Sequence, residues 1–219
     1  MARLARVVIA GLPHHVTQRG NGGGKVFFSD ADYRLYRDLL AESCKENGVA
    51  CWAWCLMPTH VHLILVPSGA DGLRAALAPV HRRYAGEINQ RRKRSGHFWR
   101  ARFGAVVMDE EHLAAALTYV MANPVRARLV EHARQWQWSS ARCYVSAKDD
   151  GVTEPGPVLE RFPDIAARLK QHGGDEAWAR IRMAETIGRP LGNAKFIKKI
   201  ERRTGRQLQA KKRGPKPKG

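Results

Sequence analysis

The chain is short of acid. It carries 20 Asp and Glu against 38 Lys and Arg, a formal charge of +18 and an isoelectric point near 10.4. That balance points to phosphate, in nucleic acid or on an anionic membrane. Composition alone leaves a ribosomal or merely adhesive protein equally open. Cysteine is also scarce: Cys44, Cys51, Cys55 and Cys143 form no CxxC pair, which excludes a cysteine zinc site and makes reduced core thiols the expectation. No apolar run is long enough to span a membrane, since the longest, Val49–Val66, is broken by Pro58, His60 and His62. Val7–Ala10 is too short for the core of a signal peptide. No internal repeat occurs at a fixed period. The expectation is a soluble cytoplasmic, nucleoid-associated protein that makes no use of a membrane.

The positive charge is unevenly placed. Residues 189–219 hold 12 basic residues and one acid, Glu201, for +11; the other 188 residues hold 26 basic and 19 acidic residues, for +7. The end of the chain is therefore an electrostatic device on a mildly basic body. Length suits one principal domain with an appendage. The boundaries read are 1–147 for that domain, 148–188 for a linker and short helical segment (KDDGVTEPGP opens it), and 189–219 for a basic DNA-binding tail.

Apolar periodicity supplies the elements. A strand is predicted over His14–Arg19, then a break at GNGGG. A helix capped at Ser29 or Asp30 runs to Glu46. Two strands, Val49–Met57 and His60–Val66, are joined tightly at Pro58–Thr59. A helix spans Leu73–Arg92, kinked or started by Pro79. A strand covers Phe103–Met108, and Asp109 caps a helix to about Ala122. Shorter helices are expected near Leu159–Lys170 and Glu176–Thr186. The order is that of an α+β, ferredoxin-like split βαβ sandwich with a mostly antiparallel sheet and helices on one face, followed by short helices and the basic tail.

Three groups of residues carry chemistry. His60 and His62 lie two apart in an apolar strand, so both imidazoles face one side about 7 Å apart and can share an ion with open positions. Standing alone, the pair favours the plainer reading of hydrogen-bonded core or edge histidines. Tyr119 and Asn123 are one helical turn apart, about 6 Å in rise, and lie off the stripe Leu113, Leu117, Val120, Met121. Tyr119 offers a nucleophilic phenol and Asn123 an amide oxygen. A packing tyrosine and a helix-ending Asn before Pro124 fit that spacing equally well. Finally, Arg91, Arg92, Arg94, Trp99, Arg100 and Arg102 mix cations with an aromatic ring, a combination suited to unpaired bases; the alternative is a core Trp99 and solvated arginines. Arg19 could touch phosphate or lie free on the surface. Lys211, Lys212, Arg213 and Lys216 lie in KKRGPKPK, which reads as a minor-groove arm or a solvated tail.

Taken together, HVTQRGN (His15–Asn21), WCLMPTHVHLILVP (Trp54–Pro67) and YVMANPVRARLV (Tyr119–Val130) resemble the three ordered motifs of the REP-associated tyrosine transposases, within the single-tyrosine HUH transposases. GHFWRARF and WSSARCY fit as well, so the resemblance covers residues 3–145, and the basic end resembles the tails of that branch. One departure is Thr59, where the family pattern has Asn. The resemblance implies a ferredoxin-like catalytic domain, a nucleophile at Tyr119, and a divalent Mg2+ or Mn2+ held by His60, His62 and Asn123. It further implies cleavage and rejoining of single-stranded DNA at hairpin-forming REP-like repeats through a 5′-phosphotyrosine, by a monomer or homodimer. A domesticated repeat-binding or regulatory protein without physiological cleavage is the alternative.

Overall fold

The computed structural model describes residues 6–170 and 175–209. Lys211, Lys212, Arg213 and Lys216 lie outside the described residues. Four strands form one sheet: β1 (His14–Arg19), β2 (Val49–Met57), β3 (His60–Pro67) and β4 (Gly104–Val107), in the order β2-β3-β1-β4. Every pairing is antiparallel, which is the split βαβ arrangement that the element order predicts.

Strand alternation divides the sheet residues between two cores. Val16, Trp54, Leu56, Val61, Leu63 and Leu65 face helices α1 (Asp30–Glu46) and α2 (Gly72–Arg91). Ala53, Cys55, Met57 and Ile64 face α3 (Glu110–Met121) and the later α8 (Asp175–Ile187), through Leu113, Leu117, Val120, Trp178 and Ile181. Helices therefore cover both faces, because the chain after β4 adds its own layer. A sheet so enclosed explains why β2 and β3 read as nearly continuous apolar runs.

Local chemistry sets the element ends. Asp32 accepts from the backbone N–H groups of Phe28 (2.7 Å) and Ser29 (3.1 Å), closing the first turn of α1. Asp109 accepts from the His112 N–H at 3.1 Å and starts α3. Helix α2 starts at Gly72 and continues through Pro79. Leu73 and Leu77 before the proline and Val80 and Tyr84 after it are fully buried, so packing on both sides outweighs the missing backbone bond. Gly20 turns the chain out of β1, and a side chain there would strike the Gly24 carbonyl at 2.4 Å. All four cysteines are buried and unpaired.

Beyond α3 follow α4 (Asn123–Arg126), α5 (Ala141–Ser146), α6 (Gly156–Arg161) and α7 (Ile165–Arg168), then α8 and α9 (Ala194–Thr204). The basic segment that reads as a tail thus begins as structure. Leu191 pairs with β4, its N–H donating to the Val107 carbonyl at 2.9 Å. Ile200 and Leu208 bury themselves against Val7, Ile9 and Val107. The dense charge of this stretch masks a three-to-four-residue apolar stripe, Phe196, Ile197, Ile200. Among the described residues, no helix is long and apolar enough to cross a membrane.

Candidate active site

The register of β1 against β3 sets Thr17 opposite His62, Arg19 opposite His60 and His15 opposite Ile64. His15, His60 and His62 consequently share the α3 side of the sheet. His15 and His62 are diagonal neighbours, with Nε2 of the first 3.0 Å from Nδ1 of the second. The His60 ring stands edge-on to His62 at 4.8 Å between centroids. Its Nδ1 is 2.9 Å from the Thr59 hydroxyl, so the residue that departs from the family pattern orients the first histidine. Burial, reinforced by Arg19, pulls His15 down to about 3 and His60 to about 4. His62 is also held well below its ordinary value by burial and its charged neighbours. The shifts of all three rings favour the neutral imidazole, the form that ligates a metal.

Helix α3 carries Tyr119 to this cluster. The phenol ring is buried and edge-on to both His15 (5.8 Å) and His62 (5.6 Å). Burial and the nearby Glu185 raise its pKa, while the Arg126 guanidinium opposes them. The Arg126 guanidinium lies 4.9 Å from the centre of the Tyr119 ring and 5.1 Å from that of Trp178. Asn123 is buried beside the tyrosine, with Nδ2 donating to the Tyr119 carbonyl at 3.1 Å.

Helix α8 closes the site with Trp178, 6.1 Å from Tyr119 between ring centres, and with Glu185. The latter carboxylate places Oε1 3.6 Å from His15 Nδ1 and 3.7 Å from His62 Nδ1, while Oε2 pairs with Arg19 at 3.3 Å. Burial raises its pKa against the pull of Arg19. His15, His62 and Glu185 can each present one ligand atom within 4.8 Å of the others. His15 Nδ1, His62 Nε2 and Glu185 Oε1 are all buried without a hydrogen-bond partner. Buried polar atoms rarely remain so, and this set of two imidazoles and a carboxylate suits a divalent cation.

Of the residues singled out from sequence, His60, His62 and Tyr119 are brought together by ring contacts, and Asn123 is joined to them through its bond to the Tyr119 carbonyl. Sequence reasoning misses His15, Arg126, Trp178 and Glu185. Arg126 lies seven residues after Tyr119. Glu185 lies seven after Trp178, beside the buried stripe Trp178, Ile181, Ala184. An acid bordering an apolar stripe is the signal that could have revealed it.

The cationic residues fall in three places. Arg19, Arg100 and Arg102 line a cleft of about 520 Å3 that reaches Glu185. Arg92 and Arg94 line a second cleft of about 320 Å3 with Asn21, Lys25 and Phe98, and Arg92 also stacks 3.9 Å over Phe28. Arg91 pairs with the buried Asp32, tying the end of α2 to the start of α1. Trp99, read as a stacking platform, is half-buried against Tyr84, Phe98 and His81, and its indole N–H donates to the His81 carbonyl at 2.9 Å. It anchors the strand-like segment that presents Arg100, whose N–H donates to the Arg19 carbonyl at 2.9 Å.

Comparison with known proteins places the fold and the family. A Haemophilus influenzae protein assigned as a REP-associated tyrosine transposase is 25% identical over 124 residues, covering 52% of this chain and 70% of the relative. A solved REP-associated tyrosine transposase bound to a REP hairpin superposes with a TM-score of 0.58 at 18% identity, over 71% of this chain and 90% of that one; at that identity the likeness is one of fold. The profile described as "Transposase IS200 like" matches residues 12–123, about half of the chain, from the strand before His15 to Asn123. The chain belongs to the IS200-like transposase family.

Proposed function

We propose that this protein cleaves and rejoins single-stranded DNA at hairpin-forming, REP-like repeats, with Tyr119 as nucleophile. The observation that carries the reading is the buried phenol set edge-on to both His15 and His62. A tyrosine placed only for packing has no need of two neutral imidazoles and a guanidinium around it. The hairpin substrate is taken from the DNA bound by the solved relative of the same fold.

In this reading the Tyr119 oxygen attacks the scissile phosphorus and the bond to the 3′ oxygen breaks. The products are a 5′-phosphotyrosine and a free 3′-hydroxyl, which gains the proton the phenol loses. Attack by another 3′-hydroxyl reverses the step and joins strands. A phenol of ordinary pKa, about 10, is a weak nucleophile at neutral pH, and Arg126 stabilises the charge that develops on it. His60 and His62, with the Asn123 amide oxygen, are the ion ligands that the family resemblance implies. Held there, a Mg2+ or Mn2+ ion would supply Lewis acidity toward the phosphate and the leaving oxygen. Arg19, Arg100 and Arg102 hold the entering backbone in the cleft, and Arg92 and Arg94 the flanking strand, through phosphate contacts that carry no sequence information.

The test is cleavage of single-stranded hairpin oligonucleotides drawn from the host's repeats, with Mg2+ or Mn2+, resolved on a denaturing gel. The expected result is a protein–DNA adduct that disappears in Tyr119→Phe and in chelator. Hairpin binding without an adduct in either metal would leave a repeat-binding protein instead.

A further inference from the structure

The family-derived ligand set contains no negative charge. His60 and His62 are neutral and Asn123 offers an amide, while Arg19 and Arg126 stand close by. A dication entering such surroundings meets repulsion with no anion to offset it, and Mg2+ and Mn2+ favour carboxylate oxygen. Glu185 is the acid that reaches the histidines. Its Oε1 faces His15 Nδ1 and His62 Nδ1 at 3.6 and 3.7 Å, beyond hydrogen-bond length. Two donors sharing an ion at about 2.1 Å stand roughly 3.0–3.6 Å apart, so the separation of Oε1 from His15 Nδ1 is close to that of a ligand pair; His62 Nδ1 is already held by His15 Nε2 at 3.0 Å, and one ligand atom of His62 lies within 4.8 Å of both partners. Arg19 holds Oε2, which leaves Oε1 turned to the imidazoles, and Oε1, His15 Nδ1 and His62 Nε2 all lack partners.

We propose that Glu185 and His15 are ligands of the divalent cation together with His62, so that a helix outside the family-matched region supplies the only charged ligand of the site. This rests on reading the site as a metal-assisted nuclease. It assigns α8 to the catalytic centre: Trp178 packs the helix onto Tyr119, and Glu185, two turns on, reaches the ion. Residues of β1, β3 and α8 would then hold the cation between them.

The test is Mn2+ titration of the full chain, read as loss of the free-ion electron paramagnetic resonance signal, with no DNA present. Glu185→Gln keeps shape and removes charge; Glu176→Gln, on the exposed start of the same helix and paired with Arg180, is the control. Glu185→Gln and His15→Ala are expected to weaken Mn2+ binding by roughly tenfold or more, with Glu176→Gln unchanged. Circular dichroism melts establish that each variant folds, and the near-isosteric Glu185→Gln decides if His15→Ala does not. Wild-type affinity in Glu185→Gln overturns the proposal, as does tighter binding, which would make Glu185 an obstruction; absence of Mn2+ binding to the wild type overturns it too. The adduct assay separates this from the parent reading: an adduct formed while Glu185→Gln binds Mn2+ normally keeps the transesterase and discards the ligand role. No adduct from the wild type discards the transesterase, and the titration still reports on Glu185.

Discussion

The Asn123 side chain folds back on the residue one turn before it, its Nδ2 donating to the Tyr119 carbonyl at 3.1 Å. That bond fixes which end of the amide is left for other work: a ligand role must use Oδ1. It also ties Asn123 to the helix that carries Tyr119. Asn123→Ala is expected to lose about 1 kcal/mol of stability from the broken bond and to slow adduct formation by roughly 10- to 100-fold if the oxygen is a ligand. Asn123→Asp keeps the oxygen and loses the donor, so it should recover adduct more than stability. Melting temperature and single-turnover cleavage, measured on both variants, separate the two effects.

The Arg126 guanidinium lies against the face of Tyr119, 4.9 Å from the ring centre, and opposes the rise in the phenol's pKa. Arg126→Ala leaves the ring held by Trp178 and the histidines but removes the charge beside its oxygen. Cleavage is expected to fall by about tenfold or more, and its rise with pH to shift upward, while hairpin affinity changes little. Arg126→Lys, which keeps charge without the planar stacking surface, should recover part of the rate. Equal rates for wild type and Arg126→Ala across pH 6–9 would remove the residue from the chemistry.

Two buried histidines away from the site make the fold acid-sensitive. Burial lowers His14 to about 4 and, with help from Arg6, lowers His81 to about 3. His14 Nε2 accepts from the Ile9 N–H at 3.1 Å, and His81 Nε2 lies 3.0 Å from the Tyr36 hydroxyl. Below about pH 6.5 the unfolded chain takes up protons at both rings that the folded chain refuses, so stability rises with pH in this window. It is complete above about pH 6.5 and declines as pH falls toward 4, by about 1.4 kcal/mol per pH unit for each excluded proton. Melting temperatures should drop steadily from pH 7 to pH 5, and His81→Gln should flatten that slope whatever it does to stability at neutral pH.

Helix α9 combines a buried Ile200 with exposed Lys195, Lys198, Lys199, Arg202 and Arg203. Replacing the four residues Lys198, Lys199, Arg202 and Arg203 with Gln should leave the melting temperature within a degree or two. If this face meets phosphate, the same change lowers the salt dependence of hairpin binding by up to about one unit of log–log slope for each phosphate that is no longer neutralised. Ile200→Ala acts oppositely: it opens the packing on Val7, Ile9 and Val107 and is expected to cost about 2–5 kcal/mol locally, visible as faster amide exchange in 194–208.

Much of this was readable from residues alone, for identifiable reasons. Strands β1 to β3 and helices α1 and α3 carry strong periodicity and explicit end signals, Ser29 and Asp109 among them, and they emerge where the pattern puts them. The histidine pair and the tyrosine turn are local spacings, so they too survive translation into three dimensions. What escapes is whatever depends on distant pairing. His15 meets His62 only through the β1–β3 register, and Glu185 arrives from 123 residues after His62. Trp99 looks like an exposed ring among arginines because the sequence does not show Tyr84 and His81 waiting beneath it. In α9 the charges outnumber the apolar residues that hold the helix down, and composition reads the majority.

The last helices have a bearing on how the protein comes into being. Arg206 donates to the Arg6 carbonyl at 3.2 Å, and Ile200 and Leu208 seal Val7 and Ile9. A chain emerging from the ribosome amino end first presents its histidines and Tyr119 before Glu185 is made, and cannot seal Val7 and Ile9 until α9 has been translated. Until then the nascent protein holds His15, His62 and Tyr119 without the carboxylate that faces them in the folded chain.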